Sequence, residues 1–85
     1  MKLMSNRPSK CLHWRDAITL LESGQPVTIK VWKLSTGDII TYRDAVCIGS
    51  HWRRGIHRIK LPQSHLIREF RDITFFEING YEVIR

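Results

Sequence analysis

The sequence predicts a mainly β, barrel-like domain, in which a short N-terminal helix precedes five or six antiparallel strands. Three observations carry that reading. Apolar and polar residues alternate with a period of two in several short stretches from Val27 onward, the signature of half-buried strands. Turn signals containing glycine separate those stretches, at 35–37, 52–55 and 79–80. Only one stretch, near the N-terminus, carries a helical period instead.

That stretch is residues 13–23, HWRDAITLLES, in which Trp14, Ala17, Ile18 and Leu21 recur at i, i+3, i+4 and i+7 and so share one face. Asp16 sits in the first turn, where the helix dipole favours a negative charge. Gly24 is expected as the left-handed residue that ends the helix, and Pro26 prevents its continuation. A helix of about three turns is marginal alone, so its apolar face must cover a sheet.

Residues 27–34 follow as a strand with Val27, Ile29 and Val31 toward the core, and Ser35-Thr36-Gly37 turns the chain. Residues 38–50 form a long strand with Ile40, Tyr42, Val46 and Ile48 on one face. Asp44 interrupts that alternation, which predicts a bulge or bend at Arg43-Asp44 that lets one strand serve two sheets. After a turn at Trp52–Gly55, residues 56–61 alternate again, with His57, Ile59 and Leu61 facing one way and Ile56, Arg58 and Lys60 the other. Residues 66–72 fit either a strand or a helical turn. Ile73 to Ile78 is a strand by its β-branched and aromatic content. Asn79-Gly80 predicts a type I′ hairpin returning through Tyr81 to Ile84. A helix-capped, partly open barrel of SH3-like or OB-like kind closes so few strands while limiting their edges; a flat meander with the helix on one face is the alternative.

Eighty-five residues make one domain, residues 12–85, preceded by a flexible tail at residues 1–11. With 42% apolar and 26% charged residues, the composition is that of a globular chain. No apolar run approaches the ~20 residues of a membrane span. MKLMSNRPSKCLHW lacks the apolar centre of a signal peptide, so the expected location is cytoplasmic, with no membrane partner. Cys11 and Cys47 accordingly read as free thiols, with Cys47 a small core residue.

The stretches ITLLESGQPVTIKVW to GDIITYRDAV, and IREFRDITFFEINGYEV, resemble small proteins of prophages and mobile elements in gut Bacteroidetes. In these a leading helix ends in a Ser-Gly-x-Pro-like turn before a strand pair, and a Glu-x-Asn-Gly hairpin closes the chain. The resemblance covers about two-thirds of the sequence and rests on structural rather than catalytic motifs. It implies no activity for any residue. It does imply a phage-like or mobile-element setting, in particle assembly or nucleic-acid handling.

The net charge of +6 is concentrated. Residues 1–15 hold Lys2, Arg7, Lys10 and Arg15 without an acid, residues 51–60 hold Arg53, Arg54, Arg58 and Lys60 without an acid, and the remainder is slightly acidic. A localised excess of this kind faces polyanions. Arg53, Arg54, Arg58 and Lys60 are therefore expected to contact nucleic-acid phosphates, with Trp52, and also Trp32, stacking on bases and the N-terminal residues adding an arm. The rival expectation is a structural protein that forms a homo-oligomer or joins a phage-like assembly through strand edges and doubled apolar faces such as Phe75-Phe76.

Other chemistries find less support. Cys47, His51, His57 and His65 are ligand types, but their spacing matches no zinc finger or ribbon, so no metal and no cofactor are expected. Ser50-His51 is no dyad, because adjacent strand residues point to opposite faces. Glu69, Asp72, Glu77 and Glu82 are expected on the solvated side, and neither a nucleophile elbow nor a phosphate-binding loop is present. The chain reads as a non-catalytic binding module with no small-molecule substrate.

Overall fold

The structure, a computed structural model, describes residues 10–85. In chain order it contains β1 (Cys11–His13), α1 (Trp14–Leu21), β2 (Val27–Trp32), β3 (Ile39–His51), β4 (Ile56–Leu61), β5 (Leu66–Arg71), a 3₁₀ turn (Asp72–Thr74), β6 (Phe75–Ile78) and β7 (Tyr81–Ile84). Among the described residues the protein is mainly β with one helix, as expected. Residues 1–9 of the expected tail lie outside the described residues, and Cys11 begins the first strand.

The strands form one mixed sheet in the order β1-β7-β6-β2-β3-β4-β5. Five of the six neighbouring pairs are antiparallel and β1 runs parallel to β7. Two expectations are corrected here. Among the described residues there are seven strands rather than five or six, and β5 and β1 remain unpaired edges, so the sheet is not closed into a barrel. Helix α1 supplies a physical reason. Its stripe is the expected one, with Ala17 and Leu21 fully buried and Trp14 and Ile18 packed on the core. By covering the core face it gives the sheet a burial partner that rolling closed would otherwise provide.

The core face of β2 is the expected one, with Val27, Ile29 and Val31 buried and joined by Phe75 and Ile78 of β6. The helix spans fewer residues than 13–23. His13 caps it, its Nδ1 accepting from the Arg15 amide at 3.2 Å, and Gly24 turns left-handed at φ 84°. β2 ends at Trp32 rather than residue 34, because Lys33 closes the turn by donating to the Asp38 carbonyl and accepting from Gly37, both at 2.7 Å.

Strand β3 bends where Asp44 predicted it. Asp44 has φ 53°, and the register with β2 slips between the Val27–Ala45 and Ile29–Tyr42 pairs. The first half of β3 pairs with β2 and the second with β4, so one strand does serve two parts of the sheet. The bulge also reverses the alternation beyond it. Ala45 and Cys47 turn inward in place of Val46 and Ile48, because one extra residue shifts a period-two pattern by one.

Residues 66–71 are a strand, resolving that alternative, and Ile73 belongs to the 3₁₀ turn rather than to β6. This turn carries the chain from edge strand β5 back to β6, beside β2. Phe70 and Phe75, on either side of it, meet in the core with ring centroids 5.9 Å apart. Phe76 faces away and packs on Trp32 at 5.0 Å.

Candidate functional site

The outer face of β3, β4 and β5 is assembled by register. A second slip between the Cys47–Ile59 and Gly49–Arg58 pairs sets which residues face outward. Cross-strand partners share a face, so the outer surface reads in three rows: His51, Ile56 and Arg71; Gly49, Arg58 and Glu69; Val46, Lys60 and Ile67. Beyond the first row the turn carries Trp52, Arg53 and Arg54. It is held by Arg54 N–H to the His51 carbonyl at 3.0 Å and by Gly55, at φ 64°, whose carbonyl accepts from Asp72 N–H at 2.7 Å.

All five residues expected to bind nucleic acid are exposed and fall on this hairpin. Trp52 is 80% exposed at its apex, with the Arg53 guanidinium 5.2 Å from its ring centroid. Arg54 lines a groove with Ile56, Glu69 and Arg71. Arg58 donates to Glu69 at 3.2 Å, and both side chains are about half exposed. Lys60 stands exposed in the third row. The structure adds Arg71, which the sequence reading missed because residues 66–72 had no assigned pairing. Trp32 stands on β2 against Phe76. Lys2 and Arg7 lie outside the described residues, and the Lys10 ammonium sits 5.6 Å from the Tyr81 ring centroid.

Two concavities meet on this face. One is bounded by Gly49, Ser50, His51, Ile56, Arg58 and Glu69, and the other by Arg54, Ile56, Glu69, Phe70 and Arg71, so Ile56 and Glu69 are common to both. Ile56 is only 8% exposed yet stands apart from the main core cluster. It is the apolar residue the two concavities share, with Arg58 and Glu69 beside it in one and Arg54, Glu69 and Arg71 in the other.

Behind this face lies a cluster the sequence reading did not find. His57 points inward and is 4% exposed. Its Nδ1 meets Asp72 Oδ1 at 2.5 Å and its Nε2 meets Glu22 Oε2 at 2.7 Å. Each ring nitrogen thus has a carboxylate oxygen as its hydrogen-bond partner, so neither polar atom of the buried ring is left unsatisfied. The expectation that Asp72 is a solvated carboxylate is thereby corrected. The available signal was the parity of β4, which put a histidine on the core face beside Ile59, where a polar ring needs partners.

The four ligand-type residues weighed from sequence do not converge. The bulge at Asp44 turns Cys47 inward, the slip after Cys47 leaves His51 facing outward, and His57 lies opposite Ser50 rather than His51. Among the described residues, no three His, Cys, Asp or Glu side chains are arranged to hold a metal ion. Both cysteines are free, and burial raises the Cys47 thiol above its ordinary 9.0, opposed in part by the hydrogen bond to the Gly49 backbone and aided to a smaller degree by the Glu22 and Asp72 carboxylates. Among the described residues no helix is long and apolar enough to cross a membrane.

Comparison with family models, with curated proteins and with solved structures finds no match to this chain.

Proposed function

We propose that this protein is a non-catalytic nucleic-acid-binding module, acting in a phage-like or mobile-element setting, that holds the phosphate backbone on the outer face of β3–β5. The observation that carries this reading is the apex of the hairpin, where Trp52 is 80% exposed beside Arg53. An indole offers roughly 200 Å² of contact surface. Leaving most of it in water forgoes a few kcal/mol of burial, at about 25 cal/mol per Å², which stacking on a base recovers. Arg58, Lys60 and Arg71 lie on the same side of the sheet along two strands, and Arg54 of the turn lines the groove beside Arg71, so a backbone can run past all four.

The test is a salt series. Binding to labelled single- and double-stranded oligonucleotides is measured from low to physiological ionic strength, with an Arg53/Arg54/Arg58→Ala variant alongside. Counterion release predicts a log–log slope that shrinks by roughly 2 for single strands when three phosphate contacts are removed. No binding at low salt, or a slope unchanged in the variant, refutes the proposal.

One observation favours a second reading, protein assembly. Trp32 and Phe76 pack together on the outer side of β2 and β6, with Leu34 and Ile39 exposed near the same hairpin end. Concentration-dependent light scattering that a Trp32→Ser variant abolishes supports that reading, and a constant monomer mass removes its homo-oligomeric form.

A further inference from the structure

We propose that the notch at Gly49 holds one unpaired base of a single strand, making the site selective for single-stranded over duplex nucleic acid. This inference rests on the nucleic-acid reading above and specifies its substrate.

Position 49, which lacks a side chain, borders the notch. Gly49 stands outward in the row with Arg58 and Glu69, next to the register slip in β3. Nothing lies within 4 Å of where its Cβ would be, and its φ is not in the left-handed region. The glycine is thus required neither by backbone conformation nor by a close neighbour, and its effect on the surface is the open space itself. Ile56 provides an apolar floor for a flat ring. Arg58 supplies donors and Glu69 acceptors at one wall, the complement that a base edge presents. His51 borders the notch on the turn side, next in sequence to Trp52.

The charges around it fit the same occupant. Arg54 and Arg71 flank the adjoining groove, which places cations where the phosphates on either side of an inserted base would run. The Arg58–Glu69 pair is half exposed, and such pairs contribute little, so exchanging it for contacts to base or phosphate costs little. A duplex keeps its bases stacked and paired and offers only its backbone to this face, whereas a single strand offers bases with free edges.

Filling the notch tests this. Valine suits a strand and has open space at position 49, so Gly49→Val blocks the notch while leaving the cationic rows in place. Fluorescence anisotropy with a labelled mixed-sequence single strand and its duplex is run on the wild type and the variant, after thermal unfolding confirms the fold. The expected result is wild-type preference for the single strand, lost roughly tenfold in Gly49→Val, with duplex affinity and salt slope unchanged. A wild-type comparison with an abasic strand of equal length gives a second readout independent of the variant's folding, and its affinity is expected to drop to the duplex level. Single-strand affinity within twofold in Gly49→Val, or an abasic strand bound as tightly as the normal one, overturns the notch while leaving phosphate binding standing. No binding of any strand overturns both proposals.

Discussion

Nε2 of His57 lies 2.7 Å from Oε2 of Glu22, joining the residue that ends helix α1 to the second position of β4 across 35 positions of sequence. On its other side the same ring meets Asp72, in the 3₁₀ turn that precedes β6. One buried imidazole therefore holds together the helix, the hairpin behind the basic face and the return of the chain to the middle of the sheet.

The two carboxylates are not equivalent, and this gives a first prediction. The Asp72 side chain is 18% exposed and that of Glu22 is 44% exposed. Removing Asp72 strips a charged hydrogen bond from a buried ring that water does not replace. Asp72→Ala is expected to cost about 2–3 kcal/mol, and Glu22→Gln about 1 kcal/mol or less, because solvent screens and substitutes for the more exposed partner. Urea unfolding of both variants checks the order, and equal losses would show that the exposure difference does not control the cluster.

A second prediction concerns the bulge. Asp44 adopts φ 53°, where a β-branched residue is strained and glycine or asparagine is not. Its side chain adds only a 3.3 Å hydrogen bond from Gln63. Asp44→Val is expected to lose about 1–2 kcal/mol, while Asp44→Gly and Asp44→Asn stay within about 0.5–1 kcal/mol of wild type. Denaturant midpoints measure the contrast. Deleting Asp44 instead removes the extra residue, so Ala45 and Cys47 keep their core side while the bend itself is lost.

These residues also show what the sequence could reveal. Val27, Ile29 and Val31 declare their face without interruption, and Asp44 breaks a pattern visibly enough to place the bend. The consequence of the bend was not legible, because a period-two pattern does not mark which residue is the inserted one. Strand β1 was hidden because Cys11–His13 is too short for a period and its partner β7 lies some seventy positions away. The basic hairpin was visible as charge, whereas its notch depends on a register slip that composition does not encode. Nothing at Glu22 in the sequence points to His57, which lies 35 positions away.

Cysteine chemistry supplies a third prediction. Burial and two neighbouring carboxylates raise the Cys47 thiol above 9.0, whereas Cys11 is exposed on the edge strand. Thiolate is the reacting species, so iodoacetamide near neutral pH should label Cys11 first and Cys47 only slowly, with both labelling together once the chain is unfolded. The linkage has a definite sign. A folded-state value above the unfolded one favours the protonated native form, so this contribution is intact below the unfolded thiol's value and is lost as pH rises through the folded value. Stability should therefore decline on the alkaline side more steeply in wild type than in Cys47→Ala. Mass-resolved labelling and unfolding across that range test both statements, and equal labelling rates in the native state would contradict the first.

The Asn79-Gly80 turn allows conformation and hydrogen bonding to be separated. Both residues have positive φ, 49° and 84°, as a type I′ turn between Ile78 and Tyr81 requires. Asn79 also joins the turn to β2: its Oδ1 accepts from Thr28 N–H at 2.9 Å, and its own N–H donates to the Thr28 carbonyl at 2.8 Å. Asn79→Gly keeps the conformation and the backbone bond but leaves the Thr28 amide to find water, which should cost about 1 kcal/mol. Asn79→Ala adds the penalty of a Cβ in the left-handed region, for a loss of about 2–3 kcal/mol. Gly80→Ala bears the conformational penalty alone, about 1–2 kcal/mol. If the Asn79→Ala loss exceeds that of Asn79→Gly by the amount Gly80→Ala costs, the turn is held in place by both effects acting independently. Asn79→Gly as stable as wild type would mean that the Thr28 contact contributes nothing and that conformation alone sets the hairpin.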